Sequence, residues 1–194
     1  MINHLMDVSN FSENGCYVAH PKVLSEILQE LDKSKRKHIL LGVSYALMDF
    51  AERFSLDLSH TIVIETGGMK GHRREMTKIE LHNRLKTAFG VRNIHSEYSM
   101  TELFSQAYSK LDGKFQTPPW MKVFTREVED PFSFLKENRY GGINIIDLAN
   151  IHSCSFIATE DLGRRFSDGA FEIAGRLDHS EVRGCNLLYG EGMA

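Results

Sequence analysis

A chain of 194 residues with 42% apolar and 25% charged residues and a formal charge of −3 has the make-up of an ordinary globular protein, and its mean hydropathy of −0.29 agrees. It is long enough for one sizeable core, so a single domain with room for two lobes is the default. The acidic balance excludes a broad phosphate-tracking surface, because non-specific nucleic-acid binding needs an excess of Lys and Arg, and no window approaches the roughly 20 apolar residues of a membrane span.

Residues Met1 to Asp7 carry neither a basic region nor an apolar run of signal-peptide length, so a cytoplasmic setting is the expectation. From Pro21 to Leu31, Val23, Leu24, Ile27, Leu28 and Leu31 recur at helical spacing and predict an amphipathic helix. The dense basic run Lys33-Ser34-Lys35-Arg36-Lys37 reads as its solvated end. Ile39 to Val43 is a short continuous apolar run that suits a buried strand, and Ala46, Leu47, Phe50, Ala51 and Phe54 return to a helical period.

Thr61 to Glu65 is a β-branched strand ended by Thr66-Gly67-Gly68, where glycine lets the backbone turn or approach a ligand. Leu81, Leu85, Ala88 and Phe89 predict a second crossover helix closed by a left-handed Gly90, and Val91 to His95 reads as the next strand. This alternation predicts an α/β fold with a mainly parallel sheet and flanking helices up to about residue 110. Beyond it, Met121 to Val128, Gly142 to Leu148, Ser155 to Thr159 and Ala170 to Ala174 are strand-like. Turn signals stand at Asp112-Gly113, Gly141-Gly142 and Asp168-Gly169. They suggest a smaller antiparallel, barrel-like lobe. The prolines of Thr117-Pro118-Pro119-Trp120 mark the boundary, dividing the chain into an α/β lobe at 1–116 and a β-rich lobe at 117–194.

Cys16, Cys154 and Cys185 are odd in number and lack metal-knuckle spacing, which implies reduced thiols rather than disulfides or zinc. The nine histidines form no ligand spacing either.

Candidate chemistry sits in five segments: Thr66-Gly67-Gly68; Tyr98-Ser99-Met100-Thr101-Glu102; Thr159-Glu160-Asp161-Leu162-Gly163; Gly175-Arg176-Leu177-Asp178; and Arg183-Gly184-Cys185. In this order they resemble the motifs of the adenylate-forming superfamily, and within it the LuxE-type acyl-protein synthetases. The resemblance covers roughly Ile39 to Leu188. It corresponds to the C-terminal half of such a synthetase, part of the family's larger N-terminal domain.

That resemblance implies roles residue by residue. The Gly67-Gly68 backbone would lie against adenine and the acyl group, the Tyr98 ring against adenine, the Thr101 hydroxyl at the α-phosphate, and Glu102 on a magnesium ion. Asp161 would accept hydrogen bonds from both ribose hydroxyls, a directional, charge-assisted clamp, with Arg176 reaching the same sugar. Asp178 would be a hinge. Cys185 would take the acyl group as a thioester, the thiolate being a strong nucleophile. Ser99 and Glu160 stand where the family has glycine.

The implied substrates are ATP and a fatty acid. Implied partners are an N-terminal-half polypeptide, an acyltransferase or a reductase. The family's phosphate-gripping loop and its catalytic-lysine lobe have no match here, so the isolated chain is expected to be incomplete for catalysis. A non-catalytic nucleotide-binding or docking role, and a relative that uses coenzyme A as acceptor, are the alternatives.

Overall fold

The computed structural model describes residues 2–9, 11–68, 76–111 and 113–177. Helix α1 (Ile2–Ser9) is followed by α2 (Pro21–Lys33), which opens on proline where the missing N–H costs nothing and turns Leu28 into the core. The basic run ends α2 as expected: Lys35 adopts φ 55°, and Arg36 leaves the run to pair with Glu13 at 2.7 Å and to cover the Phe11 ring. None of the described helices is long and apolar enough to cross a membrane.

Two crossover units follow: β1 (His38–Val43), α3 (Ser44–Arg53), β2 (Thr61–Thr66), α4 (Lys78–Phe89) and β3 (Ile94–Tyr98). The three strands are parallel, with Leu40 beside Val63 and Val63 beside Ile94. These residues share one face with Leu47, Met48, Phe50, Leu81, Leu85 and Phe89 from the helices. On the other face the register pair Ile39 and Ile62 is exposed. Helix α4 starts at Thr77, whose Oγ1 accepts the Glu80 N–H at 3.1 Å, and closes at Gly90 with φ 63°, the predicted left-handed end.

The remaining strands are β4 (Ala107–Ser109), β5 (Phe115–Gln116), β6 (Met121–Arg126), β7 (Gly141–Asp147), β8 (Phe156–Arg165) and β9 (Phe171–Arg176). From β3 onward every pairing is antiparallel, and all nine strands join one sheet in the order β1-β2-β3-β4-β5-β9-β8-β7-β6. The α/β class and the antiparallel second part therefore stand. The barrel-like expectation is corrected, since among the described residues the sheet stays open with β1 and β6 at its edges.

A second correction concerns Gly141-Gly142, which opens β7 rather than making a turn. A Cβ on Gly141 would lie 2.2 Å from the Arg126 carbonyl oxygen, and the space above Gly142 is filled by the Arg126 guanidinium. Close strand approach, not a reversal, explains both glycines. Asp168-Gly169 does turn the β8–β9 hairpin, with Gly169 at φ 84°.

Gly163 obeys the same logic inside β8. Its Cβ would sit 2.1 Å from the Glu172 carbonyl oxygen on β9, where the register slips between Leu162 and Gly163. Gly163→Ala is expected to destabilise the protein by about 3 kcal/mol, because backbone on both strands would have to separate. Denaturant titration checks this, and an unchanged midpoint refutes it.

Strands β4, β5 and β9 stand between β3 and β8. In a flat sheet, four steps of about 4.8 Å would hold β3 and β8 roughly 19 Å apart. Tyr98 on β3 nevertheless touches Asp161 on β8. The sheet must curl sharply at its middle, where β5 and β9 share the single pair Phe115 and Phe171. That curl makes the concavity in which the candidate residues meet.

Candidate active site

Tyr98 closes β3 with its ring packed edge-on against Phe171, centroids 5.3 Å apart, and tilted at 5.8 Å from Phe115. These contacts aim the hydroxyl across the curl, where it donates to Asp161 Oδ2 at 2.7 Å. Burial raises the tyrosine pKa and the Asp161 carboxylate pushes the same way, so the phenol stays a protonated donor at neutral pH.

Asp161 and Arg176 face each other across the β8–β9 ladder. Arg176 Nε lies 3.7 Å from Asp161 Oδ1, while its Nη2 is 3.3 Å from Glu160 Oε2. The Asp161 side chain is only 15% exposed, against 73% for Arg176. The carboxylate is thus held inside the curl while the guanidinium lies at its rim.

Arg126 and Thr159 support this arrangement. Thr159 Oγ1 accepts the Asp161 N–H at 3.1 Å and donates to the Ile143 carbonyl at 2.9 Å. Arg126 Nη2 donates to the Thr159 carbonyl at 3.1 Å, reaching it through the space left by Gly142. Arg126 carries no motif signal, and only the glycine opposite it in β7 hints at its place.

Just past Tyr98, the Leu103 N–H donates to the Met100 carbonyl at 3.1 Å and closes a turn with Thr101 and Glu102 at its exposed centre. Gly67 follows the carboxyl end of β2, whose Thr66 pairs with Glu97 next to Tyr98. Its φ of 67° needs glycine. The glycine turn, the Met100–Leu103 turn and Tyr98 therefore share the carboxyl ends of parallel strands, where open α/β sheets place ligands.

Beneath the glycine turn lies a cluster that carries no motif signal. Glu65 is fully buried and accepts from Ser44 Oγ at 2.8 Å, Ser96 Oγ at 2.5 Å and Lys78 Nζ, with His82 Nε2 at 3.4 Å. Burial opposes its charge, yet His82, Lys78 and Ser96 outweigh that and hold its pKa at about 2. Ser44 Oγ is also 3.2 Å from the Gly67 carbonyl oxygen, tying the cluster to the turn.

The structure thus brings together Tyr98, Asp161 and Arg176, and sets Gly67, Thr101 and Glu102 on neighbouring turns. Asp178 and Cys185 lie outside the described residues. Cys16 and Cys154 are exposed free thiols. An open groove between α3 and α4, lined by Met48, Ala51, Arg84 and Thr87 among others, shares no residue with this constellation. Among the described residues no three His, Cys, Asp or Glu side chains gather as a metal site.

Solved structures with this architecture are numerous. ATP-bound MatB from Rhodopseudomonas palustris superimposes with a TM-score of 0.60 at 16% identity, over 80% of this chain and 33% of that one. A mutant form of coronafacic acid ligase from Pectobacterium brasiliense gives 0.55 at 19% identity, over 81% and 32%. O-succinylbenzoate coenzyme A synthetase (MenE) from Bacillus subtilis, in complex with AMP, gives 0.53 at 16% identity, over 79% and 34%. The fold is that of a portion of each of these proteins. The chain spans about a third of the structures it matches, and at these identities the likeness concerns the fold. No family model matches the chain, and no curated protein matches it.

Proposed function

We propose that this chain is part of a ligase that activates a fatty acid with ATP and passes the acyl group to Cys185. The acid's carboxylate oxygen attacks the α-phosphorus, forming the acyl-adenylate mixed anhydride and expelling pyrophosphate. The Cys185 thiolate then attacks the acyl carbon, forming a thioester and releasing AMP. The observation that supports this reading is the convergence of Tyr98, Asp161 and Arg176 from separate strands inside one curled sheet.

In this reading the Tyr98 ring lies beside adenine, Asp161 and Arg176 bind the ribose hydroxyls, and the backbone of Gly67 and Gly68 borders adenine and the acyl group. Thr101 meets the α-phosphate. Glu102 would hold magnesium, and a single exposed carboxylate on a turn suits a cation coordinated chiefly by phosphate oxygens and water. When bound, the ion would neutralise phosphate charge. Asp178 would act as a hinge. The partner would be an N-terminal-half polypeptide, an acyltransferase or a reductase.

The test is pyrophosphate exchange and hydroxylamine-sensitive labelling of Cys185 with ATP and labelled fatty acid, with and without a candidate N-terminal half. Absence of both signals in both mixtures rejects the ligase. A second reading keeps adenylation and makes coenzyme A the acceptor, as the name of MenE says of that protein. Acyl transfer to coenzyme A that persists unchanged in Cys185→Ser would favour it.

A further inference from the structure

Asp147 closes β7 with no exposed surface, and its carboxylate is spent almost entirely on a loop 42 residues earlier in the chain. Oδ2 accepts the N–H groups of Phe104 at 3.0 Å and Ser105 at 2.8 Å. Oδ1 accepts Ser105 Oγ at 2.6 Å and the Ala149 N–H at 3.1 Å. Asn150, three residues on and equally buried, donates from Nδ2 to the carbonyls of Glu102 at 2.7 Å and Cys154 at 2.9 Å. Trp120 Nε1 adds a bond to Ser105 Oγ at 2.9 Å.

Together these bonds grip the loop at Glu102, Phe104 and Ser105, while Leu103 between them sinks into the second apolar cluster. The side chains left outside are those of Thr101 and Glu102, together with the ring of Phe104. Burying a carboxylate and an amide is costly unless every polar atom is matched. Here four of the bonds go to one distant segment, whose backbone is fixed while two polar side chains are displayed, and the rest stay within the turn after β7. Burial opposes ionisation of Asp147, yet Ser105 and the amides outweigh it and lower its pKa, so the clamp is charged at neutral pH.

We propose that Asp147 and Asn150 are positioning residues that set Thr101 and Glu102 for the phosphate end of the bound nucleotide and its cation. This rests on the nucleotide reading given above. It assigns the two buried residues to the phosphates and leaves adenine and ribose to Tyr98 and Asp161.

Calorimetry on the whole chain with adenosine and with MgATP tests it, using Asn150→Ala and the isosteric Asp147→Asn. The expected result is about a tenfold loss of MgATP affinity, the equivalent of one hydrogen-bonded contact, with adenosine affinity unchanged. Equal losses for both ligands, or no loss of either, would overturn the assignment. Amide exchange at 103–105 provides a second readout that needs no nucleotide. If the wild-type chain binds neither ligand, the nucleotide reading and the assignment to phosphate fall together. Faster exchange in both variants then leaves the two residues as a loop clamp only, and unchanged exchange removes even that.

Discussion

Asp161→Ala is expected to weaken AMP binding about 100-fold while leaving the chain folded. The estimate follows from the number of bonds at stake: a carboxylate that accepts from two ribose hydroxyls makes two charge-assisted hydrogen bonds, each worth roughly 1.5–3 kcal/mol, and part of that returns as water fills the gap. In the unliganded protein the same substitution removes the acceptor of the Tyr98 hydroxyl. Tyr98 is only half-buried, so water can replace that partner and the cost to stability stays near 1 kcal/mol. Tyr98→Phe provides the contrast, because it deletes the competing donor and leaves the carboxylate available. Its AMP affinity should match or exceed that of the wild type. Calorimetry distinguishes the two variants, and a wild-type affinity in Asp161→Ala would remove the ribose assignment.

Loss of Glu65 should be the most damaging change to stability in the first half of the chain. The carboxylate is fully buried and joins α3, β2, α4 and β3 through Ser44, Lys78, His82 and Ser96. Its folded pKa of about 2 lies below the ordinary 4.5. The folded state therefore favours the charged form, and the stabilisation is fully present above about pH 4.5. It is lost as pH falls from there to about 2. The shift corresponds to about 3 kcal/mol.

Glu65→Ala is expected to lower the melting temperature by about 10 °C at pH 7 in a chain of this size. Glu65→Gln keeps the shape without the charge, so its stability should change less than the wild type's between pH 4.5 and 2. Parallel pH profiles for Glu65→Gln and wild type would show that the carboxylate carries no such linkage.

Much of the fold can be read from the residue pattern, for identifiable reasons. Helices α2, α3 and α4 each bury one apolar stripe, and Thr77 and Gly90 supply the chemistry of the ends of α4. The third strand is less legible. It runs from Ile94 to Tyr98 rather than Val91 to His95, because Ser96 and Glu97 are buried polar residues and Ser96 is satisfied by Glu65. Strands β4 and β5 are two or three residues long and exist only through their partners. Gly141 and Gly142 have the composition of a turn, but tertiary crowding around Arg126 places them in a strand.

The site divides in the same way. Tyr98, Asp161 and Arg176 are visible as motif residues, whereas Arg126, Asp147, Asn150 and Glu65 are seen only once distant segments meet. Their signals are a charge or amide beside apolar runs, and such residues usually sit on the surface.

The lone Phe115–Phe171 pair that joins the two parts of the sheet offers almost no ladder of backbone bonds. Continuity there depends on three interlocked rings and on the phenol-to-carboxylate link that spans them. A guest that recruits the 161 carboxylate for its own hydroxyls must loosen the same fastening. Occupancy and rigidity are then linked in sign, and the seam would be stiffest when the hollow is empty.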